Sequence, residues 1–108
     1  MSAEDIFLGS QASLTLVPEV DLSFQIDHDD GSNTTTLRIH PDYEALYLLV
    51  SDLYVGCTLE LYDADVSTTV PASIHTITGN DHQQFTITPA HAVTLVNGDF
   101  MHIKGYGA

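Results

Sequence analysis

The alternation of apolar and polar side chains between Leu22 and Ile39 constrains this chain more than any other feature. Leu22, Phe24 and Ile26 are separated by Ser23 and Gln25, and Thr35, Leu37 and Ile39 by Thr36 and Arg38. A period of two puts one set on a buried face and the other in water, which is the pattern of a strand. Between the runs, His28-Asp29-Asp30-Gly31-Ser32-Asn33 is a polar loop whose Asp-Gly step supplies the positive φ of a hairpin turn. Leu14 and Leu16, set against Ser13 and Thr15, show the same period earlier in the chain.

The pattern continues downstream. Leu59 and Leu61 face inward in a strand over 58–62, residues 70–78 read as a strand closed by Gly79-Asn80-Asp81, and Phe85 and Ile87 mark a short strand over 84–88. Residues 92–96 and 100–104 flank Asn97-Gly98, a second hairpin signal. The stretch 45–54 is ambiguous. Pro41-Asp42-Tyr43-Glu44 has the proline and acids of a first helical turn, yet Leu46-Tyr47-Leu48-Leu49-Val50 is equally a buried strand, and the β-rich surroundings favour the strand. About eight short strands at near-regular spacing predict an all-β fold, a single small β-sandwich or jelly-roll-like domain spanning residues 1–108. Residues 1–10 are expected to form an N-terminal arm or an edge strand.

Charge narrows the partners. The chain carries 15 acidic residues against 2 basic ones, a formal net charge of −13, with only Arg38 and Lys104 opposing the carboxylates. Nucleic-acid binding needs a cationic footprint that displaces phosphate counterions, and an anionic membrane surface needs the same, so neither is expected. A solvated acidic coat, a basic protein partner or cations remain. Any homo-oligomer has to overcome the self-repulsion through salt, apolar contacts or bound cations. No apolar run approaches the roughly 20 residues of a membrane span. The opening Met-Ser-Ala-Glu-Asp lacks the basic start and apolar run of a signal peptide, so synthesis in a host cytoplasm as a soluble protein, without secretion by a signal peptide, is expected.

Candidate chemistry is sparse. Cys57 is the one cysteine, and in Val55-Gly56-Cys57-Thr58-Leu59 it reads as a small core residue entering a strand. None of the histidines, at 28, 40, 75, 82, 91 and 102, pairs at helical spacing or clusters with the cysteine, although His75 and His102 could meet across paired strands at a zinc or nickel site. Asp27, Asp29 and Asp30 in one loop, and Asp63 with Asp65 in another, offer oxygens to calcium, but from Asp27 the EF-hand glycine position is Ser32 and its final glutamate position is Arg38. The expectation is therefore no cofactor, no metal and no catalytic residue. Tyr43, Tyr47, Tyr54, Tyr62 and Tyr106 supply the large, polar-tipped area that suits either an interface or sugar stacking.

Ile6-Phe7-Leu8-Gly9-Ser10, leading into Leu14-Thr15-Leu16-Val17-Pro18, with Asn97-Gly98-Asp99-Phe100 closing a compact β domain, resembles the small β-rich accessory virion proteins of tailed bacteriophages, of the capsid decoration or cement type. The resemblance is one of style across the whole chain and brings no functional residue with it. It implies a non-enzymatic structural protein of the virion. Such a protein binds the major capsid protein or another virion protein, often as a trimer, and reinforces the shell. The charge exceeds what decoration alone requires. The alternative reading is a carbohydrate- or receptor-binding module of a phage tail or fibre. A small cupin-like metal enzyme is a third reading, and it needs histidines and a glutamate converging inside a barrel. Ile6, Phe7 and Leu8 are the expected docking residues, because three adjacent apolar side chains in water cost roughly 25 cal/mol per Å².

Overall fold

A computed structural model describes residues 17–30, 33–44 and 49–106. Their elements are β1 (Glu19–Gln25), a 3-10 turn (His28–Asp30), β2 (Thr36–Arg38), the one-turn helix α1 (Pro41–Glu44), β3 (Thr58–Tyr62), β4 (Ser73–Asn80), β5 (Gln84–Thr88) and β6 (Phe100–Tyr106). All six strands join one antiparallel sheet in the order β1-β6-β3-β4-β5-β2. The sheet curls until its ends meet. Ile26, just past β1, bridges Ile39, just past β2, and the Asp27 and His40 N–H groups donate to the Arg38 and Gln25 carbonyls at 2.9 and 2.8 Å.

The curl follows from the alternation. Phe24, Ile26, Leu37, Ile39, Leu59, Leu61, Ile77, Phe85, Met101 and Ile103 point inward and are almost fully buried, so the sheet packs its own concave face. Leu49, Tyr54 and Leu95, from the connections, add to the same core. Six strands in one curled sheet therefore stand where about eight in a sandwich are expected, and no second sheet is seen among the described residues.

Three local differences have physical causes. Residues 92–96 are irregular, because their backbone donors are taken by side chains: Val93 N–H by His91 Nδ1 at 3.2 Å and Val96 N–H by Asp99 Oδ2 at 2.9 Å. The Gly98 turn is present, with φ of 102°, but it leads into β6 from a loop. In the ambiguous stretch the helical turn at Pro41 forms, capped by His40, whose Nδ1 accepts the Asp42 N–H at 3.1 Å. Residues 51–56 are turns, not strand, and 45–48 lie outside the described residues. Ile26 and Ile39, on either side of the hairpin turn expected at Gly31, pair antiparallel, although β2 is short and gives most of its pairing to β5. Gly31 itself, the expected strand at Leu14 and Leu16, and the arm with Ile6, Phe7 and Leu8 lie outside the described residues. No helix among the described residues is long and apolar enough to cross a membrane.

Candidate functional site

The outer face of β1, β6 and β3 carries a row of polar and aromatic groups. Since β6 lies between the other two, Ser23 and Glu60 both stand opposite His102, and Gln25 and Tyr62 both stand opposite Phe100. His102 joins the strands. Its Nε2 contacts Asp21 Oδ1 and its Nδ1 lies 3.2 Å from Glu60 Oε1. Glu60 also receives the Tyr62 hydroxyl at 3.2 Å and lies 3.5 Å from Lys104 Nζ. The hydrogen bond from His102, followed by its charge, lowers the Asp21 pKa from the usual carboxylate value. Because Asp21 is solvent-exposed, that pairing is screened and orders the row more than it stabilises the fold.

Ser23 beside His102 has the residue types of a nucleophile and base, but not the geometry. Both ring nitrogens face carboxylates, so neither is aimed at the serine hydroxyl. The row is a fixed polar ladder.

Tyr62 and Phe100 stack almost parallel, 5° apart with centroids at 4.5 Å. Two grooves run along β1 and β6. One, of about 370 Å³, is lined by Ser23, Phe24, Gln25, Tyr43, Gly98 and Phe100. The other, of about 410 Å³, lies towards Glu19, Asp21, Lys104 and the exposed Tyr106.

Beyond this face, Asp99 organises one end of the sheet. Its carboxylate is fully buried and accepts the Ala64 N–H at 3.0 Å through Oδ1 and the Val96 N–H at 2.9 Å through Oδ2. It thereby ties the turn after β3 to the loop before β6. On those tied loops Val66 and Val70 are 81% and 66% exposed, and Val96 is also exposed. Asn80 does similar work elsewhere, accepting from Tyr54 N–H and donating to the Val50 and Asp81 carbonyls.

The residues singled out in the sequence are dispersed. His75 and His102 do not meet, because β3 lies between their strands and they point to opposite faces. His75 is buried, with Nδ1 2.7 Å from the Pro89 carbonyl and Nε2 2.7 Å from Ser73 Oγ. His91 is also buried; its Nε2 donates to the Asn33 carbonyl at 3.0 Å, and burial lowers its pKa. Asp27 Oδ1 is occupied by its own loop, accepting the Asp29 N–H at 3.1 Å, and Asp63 does the same for Asp65 at 3.2 Å. Among the described residues no group of three or more His, Cys, Asp or Glu is placed to hold a metal ion. The Cys57 thiol is buried and its pKa is raised by desolvation. Of the tyrosines, Tyr54 and Tyr62 are buried, Tyr43 is half-buried and Tyr106 is 78% exposed.

Asp99 and His91 carry more of the loop structure than the sequence reveals. The one signal is the Asn-Gly-Asp order at 97–99, an acid next to a forced turn. Comparison with protein families, characterised proteins and solved structures finds no match to this chain.

Proposed function

We propose that this chain is a non-enzymatic structural protein that binds and reinforces a larger assembly, a capsid shell held in the manner of a decoration protein, with a shell subunit as partner. The observation that carries the reading is the exposure of Val66, Val70 and Val96 on two loops that one buried carboxylate fastens together. Single exposed apolar residues need no explanation, but three on a rigidified end of a small, highly charged domain fit a contact surface. Apolar centres inside polar rims are the usual anatomy of such contacts. The net charge of −13 adds that the partner's facing surface is basic, which speeds encounter and selects the partner. The likeness of the opening and closing residues to phage decoration proteins points the same way, and self-association as a homo-oligomer, a trimer among them, belongs to the proposal.

Val66→Lys combined with Val70→Lys tests it. Both side chains are exposed, so the domain is expected to melt within a few degrees of the parent. A lysine pressed against a basic surface is repelled and, once buried there, has no counter-charge, at a cost of several kcal/mol, so shell binding is expected to be lost. Undiminished binding by the folded double variant overturns the assignment of this surface.

A further inference from the structure

The groove beside Phe100 is built more rigidly than an incidental surface dent. One face of the Phe100 ring is covered by Tyr62 in the 4.5 Å stack, which fixes the ring and leaves its other face for the groove. The Gln25 amide, opposite Phe100 on β1, is oriented by donating through Nε2 to Asn97 Oδ1 at 3.4 Å. The far wall is the Gly98 turn, whose positive φ of 102° suits glycine and whose neighbour Asp99 is locked by its two accepted N–H bonds. Ser23, Phe24 and Tyr43 also line the groove. A held aromatic plane with neutral donors and acceptors around it is a pre-formed small-molecule site in composition and size.

The chemistry of the lining selects the ligand. Among the described residues the lining, Ser23, Phe24, Gln25, Tyr43, Gly98 and Phe100, holds no carboxylate, amine, guanidinium or imidazole, so these side chains offer no counter-charge to an ion. The net charge of −13 repels anionic ligands, nucleotides included. Cations are drawn to the carboxylates of the neighbouring ladder in preference to a neutral cleft. A ring with one apolar face and hydroxyls at its edge satisfies both Phe100 and the Gln25 and Ser23 side chains. We propose that this groove binds a neutral sugar ring, stacked on Phe100 and hydrogen-bonded by Gln25 and Ser23. This site is separate from the valine surface proposed to dock on a shell, and each can fail without the other.

The test is an NMR titration of the 15N-labelled full chain with glucose, galactose, N-acetylglucosamine, cellobiose and diacetylchitobiose in turn. At least one sugar is expected to give saturable shifts centred on the amides of Ser23, Gln25, Gly98 and Phe100. Gln25→Ala, at a partly exposed position, is expected to keep the fold and weaken that binding by about tenfold, the worth of a typical lost hydrogen bond. Phe100→Tyr is expected to preserve binding by keeping the ring, and Phe100→Ala to abolish it. The proposal is overturned if no sugar gives a saturable shift, or if the saturable shifts centre elsewhere. It is equally overturned if a tetralysine peptide occupies the groove residues and the sugars do not.

Discussion

Replacing Gly105 by alanine probes how tightly β1 is held to the sheet. Gly105 is buried on β6 opposite Val20, and a Cβ added there meets the Pro18 carbonyl oxygen at 2.0 Å and Cys57 Sγ at 2.9 Å. Carbon and carbonyl oxygen rest no closer than about 3.3 Å, so one of the two backbones has to move by roughly 1.3 Å. The obstructing atom is main chain, one residue before β1, and no rotamer change removes it. Overpacking of this kind costs roughly 1–3 kcal/mol and sometimes more. For a domain near 100 residues, each kcal/mol lowers Tm by about 4–8 °C, so Gly105→Ala is expected to melt on the order of 10 °C below the parent. Thermal unfolding followed by circular dichroism, with urea midpoints as a check, reads this directly. Adding Cys57→Ala relieves only the 2.9 Å sulfur contact and should not restore the loss. A Gly105→Ala protein melting within a degree or two of the parent would refute the packing of residue 18 against β6.

Three further outcomes follow from named groups. Asp99→Ala leaves the Ala64 and Val96 N–H groups without their acceptor, at a cost of roughly 2–4 kcal/mol in urea unfolding, whereas Asp99→Asn keeps one acceptor and loses less. His91 has its pKa lowered from 6.5 by burial, so the unfolded chain binds the proton more readily. Its contribution is complete above about pH 6.5 and falls away as pH drops below that value. Urea midpoints at pH 7.5 and 5.5 should therefore differ less in His91→Gln than in the parent, and an equal difference in both contradicts the argument. Sodium chloride is expected to raise Tm, since screening over about 10 Å at 0.1 M relieves repulsion within a chain of net charge −13; an unchanged Tm counts against it.

Much of the sheet is legible in the sequence because inward-facing residues recur at every second position. The bounds of β3 and β5 can be read from that period, and Leu37, Leu59, Leu61, Phe85 and Ile87 are buried as their alternation requires. Closure is not legible. Whether strands pair into two sheets or one curled sheet depends on which strands neighbour each other, and the β1-β6-β3 order is a long-range outcome with no local signature. The irregular course of 92–96 is hidden for a related reason: Val93 and Val96 look β-prone, but His91 and Asp99 take their N–H groups. The outer-face ladder is equally opaque, because Asp21, Glu60 and His102 are far apart in sequence and meet only through the register of three strands.

On the proposed function, the protein acts by binding a shell. Particles purified from the source on a density gradient, with their proteins quantified by mass spectrometry, should contain this chain in fixed proportion to the major shell subunit. Stripping it and adding it back should lower and then restore the temperature at which the shell breaks open, by mass action of a ligand that binds only the intact shell. Absence of the chain from the particles, or a disruption temperature indifferent to its removal and return, contradicts the account.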